Sequence, residues 1–212
     1  KGVYFRVSLI NLIVLIYKRL TIYLMATPFL IFTLLSLPSY VLLKRFFSNA
    51  VSLGIVAGAF SALYALIFAN TNLLYDLHVL ATILSVTILI ITIFEALLLE
   101  RHSINLKKGL SESSLGTPIE SQFKFLLKVL GIGLIVLVFA LTTGFLIYSD
   151  PDIESRIKIL LSCLALAIYI SVYIAMKYSK LSAKYALRFL LITFLLIIIT
   201  YFLNILIIDR YT

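Results

Sequence analysis

The stretch 72–100, NLLYDLHVLATILSVTILIITIFEALLLE, limits what this chain can fold into more than any other. From Leu77 to Leu99 it holds one histidine, one glutamate and otherwise apolar or small hydroxyl residues. A bilayer core of about 30 Å is crossed by roughly 20 apolar helical residues, so the stretch reads as a membrane span. Residues three, four and seven apart share a helix face. His78, Thr82, Ser85 and Thr92 therefore fall on one stripe, with Glu95 at its edge. Polar groups in lipid are costly unless they face protein, a ligand or a water-filled cavity, and the rest of the chain reads as what surrounds that stripe.

The composition agrees. Of 212 residues, 63% are hydrophobic and 13% charged, with a mean hydropathy of +1.16. An ordinary globular domain is about 45–50% apolar and about 25% charged. Repeated runs of Leu, Ile, Val and Phe exclude an outer-membrane barrel, whose strands alternate polar and apolar. The expectation is an all-α polytopic transmembrane helical bundle, residues 1–212 forming one membrane domain. Lys1 is not methionine, which leaves room for a leading helix or signal segment. The single cysteine, Cys163, lies in an apolar run and allows no internal disulfide or cysteine-rich metal site.

Seven apolar runs are expected: 3–17, 21–43, 50–69, 77–99, 123–148, 157–176 and 185–208. Pro28 and Pro38 predict kinks in the second. Gly54 and Gly58 in the third have the spacing that lets helices approach closely. Residues 100–122 form the one long polar segment, expected as a cytoplasmic loop or surface helix. No internal repeat is visible. With seven spans, thirteen of the eighteen Lys and Arg fall on one side. That side is expected to be cytoplasmic, in an inner, plasma-membrane location. The +9 charge thus points to orientation in lipid, not to nucleic acid.

His78, beside Asp76 near the outer face, is the first candidate for chemistry. It suits a heme-iron or metal ligand or a proton carrier; equally, it suits a hydrogen bond to a neighbouring helix. A lone histidine makes no first-row metal site, whereas a porphyrin supplies four of its iron's ligands. His102 is expected as a solvated loop residue. Glu95 is expected to pair with Lys124 or Lys128, to reach interfacial water or to hold a coupling ion. Lys158, sharing a face with Ser162, Tyr169 and Tyr173, either snorkels to headgroups or neutralises an anion. Tyr201 and Asn204 suit interhelical hydrogen bonds. No phosphate loop, His-Glu-x-x-His or Gly-x-Ser-x-Gly occurs, so no soluble-type enzyme is indicated.

Leu77-His78-Val79 opening a long helix, the run ending EALLLE, the polar segment with Pro118, and LGIGLIVLVFALTTG at 130–144 resemble the cytochrome c assembly membrane-protein family, in its HemX/YpjD branch. The spacing from Pro118 through Gly133 to Thr143-Gly144 and the late Tyr201-Phe202 also fit. The resemblance spans 73–208. It implies a bundle that binds or chaperones heme, or assists heme-protein maturation, at the outer face. Its helix-opening histidine carries over to His78. Arg156 and Lys158 would then face the heme propionates, with Thr82 and Ser85 on the cavity wall. The family's second histidine falls on Ile157, and its acidic residue before the fifth run on Phe123. With no tryptophan in the chain, the family's tryptophan-rich segment is missing, and heme attachment to apocytochrome is not expected. Two other classes stay open: a structural or regulatory subunit of a larger membrane complex, such as an ion transporter, with no cofactor of its own; and a small-solute transporter, which would show broken helices and repeated halves.

Overall fold

The computed structural model describes residues 31–32, 34–68, 73–109, 118–147, 153–179 and 181–208. Among these, six helices and no strand occur. They are α1 (Leu34–Leu43), α2 (Asn49–Phe68), α3 (Leu73–Lys107), α4 (Ile119–Ile147), α5 (Ile153–Tyr178) and α6 (Ala183–Ile208).

Four of them, α3 to α6, are long and apolar enough to cross a membrane. The expected count of seven is corrected to four among the described residues. Run 3–17 lies outside them, run 21–43 is described only in its second half, and α2 is described with its side chains only as far as Tyr64.

Local chemistry sets the helix ends. Ser48 starts α2, its carbonyl accepting from Ser52 N at 2.9 Å. Asp76 lies in the first turn of α3 and Lys107 in its last, each offsetting the partial charge of its helix end. Gly109 then takes φ +81°, a left-handed conformation natural only to glycine, and its N–H bonds Leu106 O at 2.9 Å. Pro118 opens α4, accepting from Gln122 N at 3.1 Å. One turn on, Glu120 and Lys124 pair at 2.6 Å on an exposed face. Ser182 starts α6 by accepting from Tyr185 N and Ala186 N.

The segment 100–122 is therefore less of a loop than expected. Helix α3 continues through Lys107 and α4 begins at Ile119. At about 1.5 Å per residue the 35 residues of α3 extend about 52 Å, well beyond a hydrocarbon core of about 30 Å.

Helix α3 is the axis of the bundle. It packs against α2, α4 and α6, while α5 closes the far side against α4 and α6. Half of its most apolar stretch is buried in protein, against a third or less for α4, α5 and α6. Ser85 to Leu89 are buried without interruption, so this part of α3 meets protein all round, as a uniformly apolar helix must. The outward faces of α4, α5 and α6 carry exposed Ile135, Leu160 and Leu195, which suits contact with acyl chains. Gly54 and Gly58 meet nothing within 4 Å among the described residues, even with a Cβ added; the described bundle does not use that pair for close packing.

Candidate functional site

The polar stripe of α3 faces protein. Ser85, Thr92 and Glu95 are buried, and His78 and Thr82 half-buried. Its hydroxyls turn back on their own helix: Thr82 donates to His78 O at 2.8 Å, Ser85 to Thr82 O at 2.8 Å and Thr92 to Ile88 O at 2.7 Å. Such back-bonding satisfies a hydroxyl within an apolar bundle. Thr82 and Ser85 thereby spend their donors locally and keep only acceptor capacity toward a ligand.

His78 is held by α4. Its Nδ1 lies 2.9 Å from Ala140 O and 3.3 Å from Thr143 Oγ1. A carbonyl only accepts, so Nδ1 carries the proton of a neutral ring and Nε2 keeps the lone pair. Gly144 makes the approach possible, since a Cβ there would stand 2.8 Å from His78 Cε1. This is a hydrogen bond to a neighbouring helix, one of the two alternatives the sequence left open, and it also fixes which nitrogen is bare. A metal-ligating histidine commonly donates its other nitrogen to a carbonyl in just this way.

Arg156 and Lys158 sit at the start of α5, at the same end of the bundle as the start of α3 and the end of α4. Each already has a partner there. Ile157, where the resemblance places a second histidine, is exposed. His102 lies about 36 Å along α3 from His78, too far to share an iron with it. It is half-buried rather than solvated, with Nδ1 2.7 Å from Gln122 Oε1 at the base of the α3–α4 hairpin. Among the described residues no three His, Cys, Asp or Glu side chains converge as a metal site. Among the described residues the donor set around His78 thus amounts to one imidazole nitrogen. A shallow apolar notch between α2 and α3, too tight to admit a water, is lined by Phe60, Tyr64, Leu80 and Leu84. It opens on the other side of α3, because Leu80 is turned about 200° from His78.

At the opposite end of the stripe Glu95 is fully buried, with 0% of its surface exposed. Its Oε1 accepts from Tyr40 Oη at 2.8 Å and from Lys44 Nζ at 2.5 Å. The expected partners, Lys124 and Lys128, are exposed on α4, and Lys124 bonds Glu120 instead. Lys44 lies over the rings of Tyr40 and Phe94, 5.8 and 6.0 Å from their centroids. The sequence held a signal for this pairing. Lys44 closes the second apolar run on the side where Glu95 nears the end of the fourth, so the two share a depth. At mid-bundle the Tyr169 hydroxyl presses on Gly133 of α4, where any side chain would collide with it.

No family model matches the chain, and neither the curated proteins nor the solved structures hold a match to it.

Proposed function

We propose that this is a multi-pass inner-membrane protein of the cytochrome c assembly type that binds or chaperones heme, or assists heme-protein maturation, at the outer face. The observation that carries the reading is the His78 ring. Its Nδ1 is committed to Ala140 O, so Nε2 would be the nitrogen left to hold the iron. The bound iron–porphyrin would supply redox and ligand-binding chemistry. The chain's own part is to fix the ring's orientation through Ala140, Thr143 and Gly144, and to offer Arg156 and Lys158 as cations for the propionates. The resemblance of residues 73–208 to the HemX/YpjD branch supports this. The spans would be α3 to α6, with the basic side cytoplasmic and His78 outward. No catalytic residue is assigned.

A second reading has its own observation. The closeness of His78 to Gly144 and the inward-turned hydroxyls of Thr82 and Ser85 also suit a purely structural clasp, in a structural or regulatory subunit of a larger membrane complex. Titration of the detergent-purified protein with hemin separates the two. Saturable one-to-one binding with a Soret shift supports the first. No saturable binding, together with a stoichiometric membrane partner on co-purification, overturns it in favour of the second.

A further inference from the structure

The sequence puts Lys177, Lys180, Lys184 and Arg188 within twelve residues, the first of them at the end of α5 and the last two at the start of α6, and no carboxylate occurs anywhere in 155–208. Among the described residues Lys177, Lys184 and Arg188 pair with no carboxylate. Elsewhere Lys44 has Glu95 and Lys124 has Glu120, and Arg156 and Lys158 have partners, while Arg45, Arg101, Lys107, Lys108 and Lys128 likewise pair with no carboxylate among the described residues. What the hairpin end offers instead is aromatic. Lys177 Nζ stands 5.6 Å from the Tyr173 ring centroid and 5.3 Å from that of Tyr178, and Arg188 Cζ 5.9 Å from that of Tyr185. Tyr178 and Tyr185 are exposed.

The level of this cluster identifies its counter-ion. The stretches Arg156–Tyr178 and Ala183–Thr200 are both of membrane-spanning character, so the cluster sits where both helices leave the hydrocarbon. Tyrosines gather at that depth, and basic residues there attract anionic lipid. We propose that the α5–α6 hairpin end binds the phosphodiester of an anionic phospholipid, with Lys177, Lys184 and Arg188 neutralising the phosphate and the tyrosine rings flanking the glycerol and upper acyl chain. The proposal rests on the membrane reading and is independent of heme.

The test uses the full chain reconstituted in phosphatidylcholine bilayers with a minor fraction of phosphatidylglycerol. Lipid retained through gentle detergent extraction is counted by mass spectrometry. The wild type should retain phosphatidylglycerol in preference to phosphatidylcholine. Each cation removed should weaken that preference about fivefold, so Lys177→Gln/Lys184→Gln/Arg188→Gln should lose it about a hundredfold. The charge-matched Lys107→Gln/Lys108→Gln/Lys128→Gln should change it less than fivefold. No preference in the wild type, an equal fall in both triple variants, or displacement by soluble glycerol phosphate would each overturn the proposal. Should the triple variant misfold by circular dichroism, exposed Lys184→Gln alone carries the test, with about a fivefold fall expected and no fall overturning it. Flotation with the bilayers is scored separately. A chain that fails to float sinks the membrane reading, whereas one that floats without lipid preference sinks only this proposal.

Discussion

Glu95 and His78 stand on one helix about 25 Å apart, and each is fastened to a different neighbour. At Glu95 two groups converge on one carboxylate oxygen, while Oε2 is buried without a partner. Removing one member of a buried pair strands the other charge, at a cost of about 3–5 kcal/mol. Lys44→Met should therefore destabilise strongly, and Glu95→Gln/Lys44→Met should recover part of the loss; unfolding in mixed micelles measures both. Equal stability of Lys44→Met and the wild type would show that the pair is not formed. The stripe was legible in the sequence because helical spacing alone gathers it. The partner of Glu95 was legible only as a shared depth: Lys44, 51 positions away in the turn after α1, is selected over other cations at that level by helix packing that no local pattern encodes. Gly133 and Gly131 offer a paired test on α4. A Cβ at Gly133 would collide with the Tyr169 hydroxyl and lie 3.0 Å from Ile88, whereas at Gly131 its nearest neighbour is Tyr173 at 3.6 Å. Gly133→Ala should lower the thermal midpoint by several degrees and Gly131→Ala leave it unchanged or higher, since alanine is the better helix former.

The elements follow from runs and punctuation to different degrees. Long apolar runs fixed α4 to α6 within a few residues, whereas the starts that the backbone uses, at Pro118 and Ser182, lay ahead of the runs. The exit of α3 was harder to place. Residues 100–107 are polar enough for a loop, yet they stay helical because nothing before Gly109 breaks the helix and because His102 gains Gln122 across the hairpin. Gly109→Ala would force a side chain into the left-handed region at a cost of about 1–2 kcal/mol. Amide exchange should then quicken over residues 104–109 and stay unchanged at Ile88. Uniform exchange in both proteins would contradict the cap. Gly54 and Gly58 carry the opposite lesson, because a spacing that permits close helix packing does not require it.

For the whole molecule the governing quantity is apolar surface. Exposed Ile, Leu and Phe cover α4, α5 and α6, and a lipid surround would remove that surface from water. Cys163 probes this without added mutations, being exposed on α5 about 10 Å along the helix from Arg156. It should resist a membrane-impermeant maleimide in vesicles and react once dodecyl sulfate unfolds the chain; rapid labelling in intact vesicles would contradict the embedded reading. Membrane character was written in the composition, whereas the ligand was not. One histidine at a helix opening is compatible with a clasp and with an iron ligand, and the structure shows the clasp in a form that leaves Nε2 bare. The absorption spectrum of the purified, hemin-treated protein beside His78→Ala is the most direct test of heme binding through His78. A Soret band is expected in the wild type and should be lost or displaced in the variant; a wild type without the band, or identical bands in both, would contradict that binding.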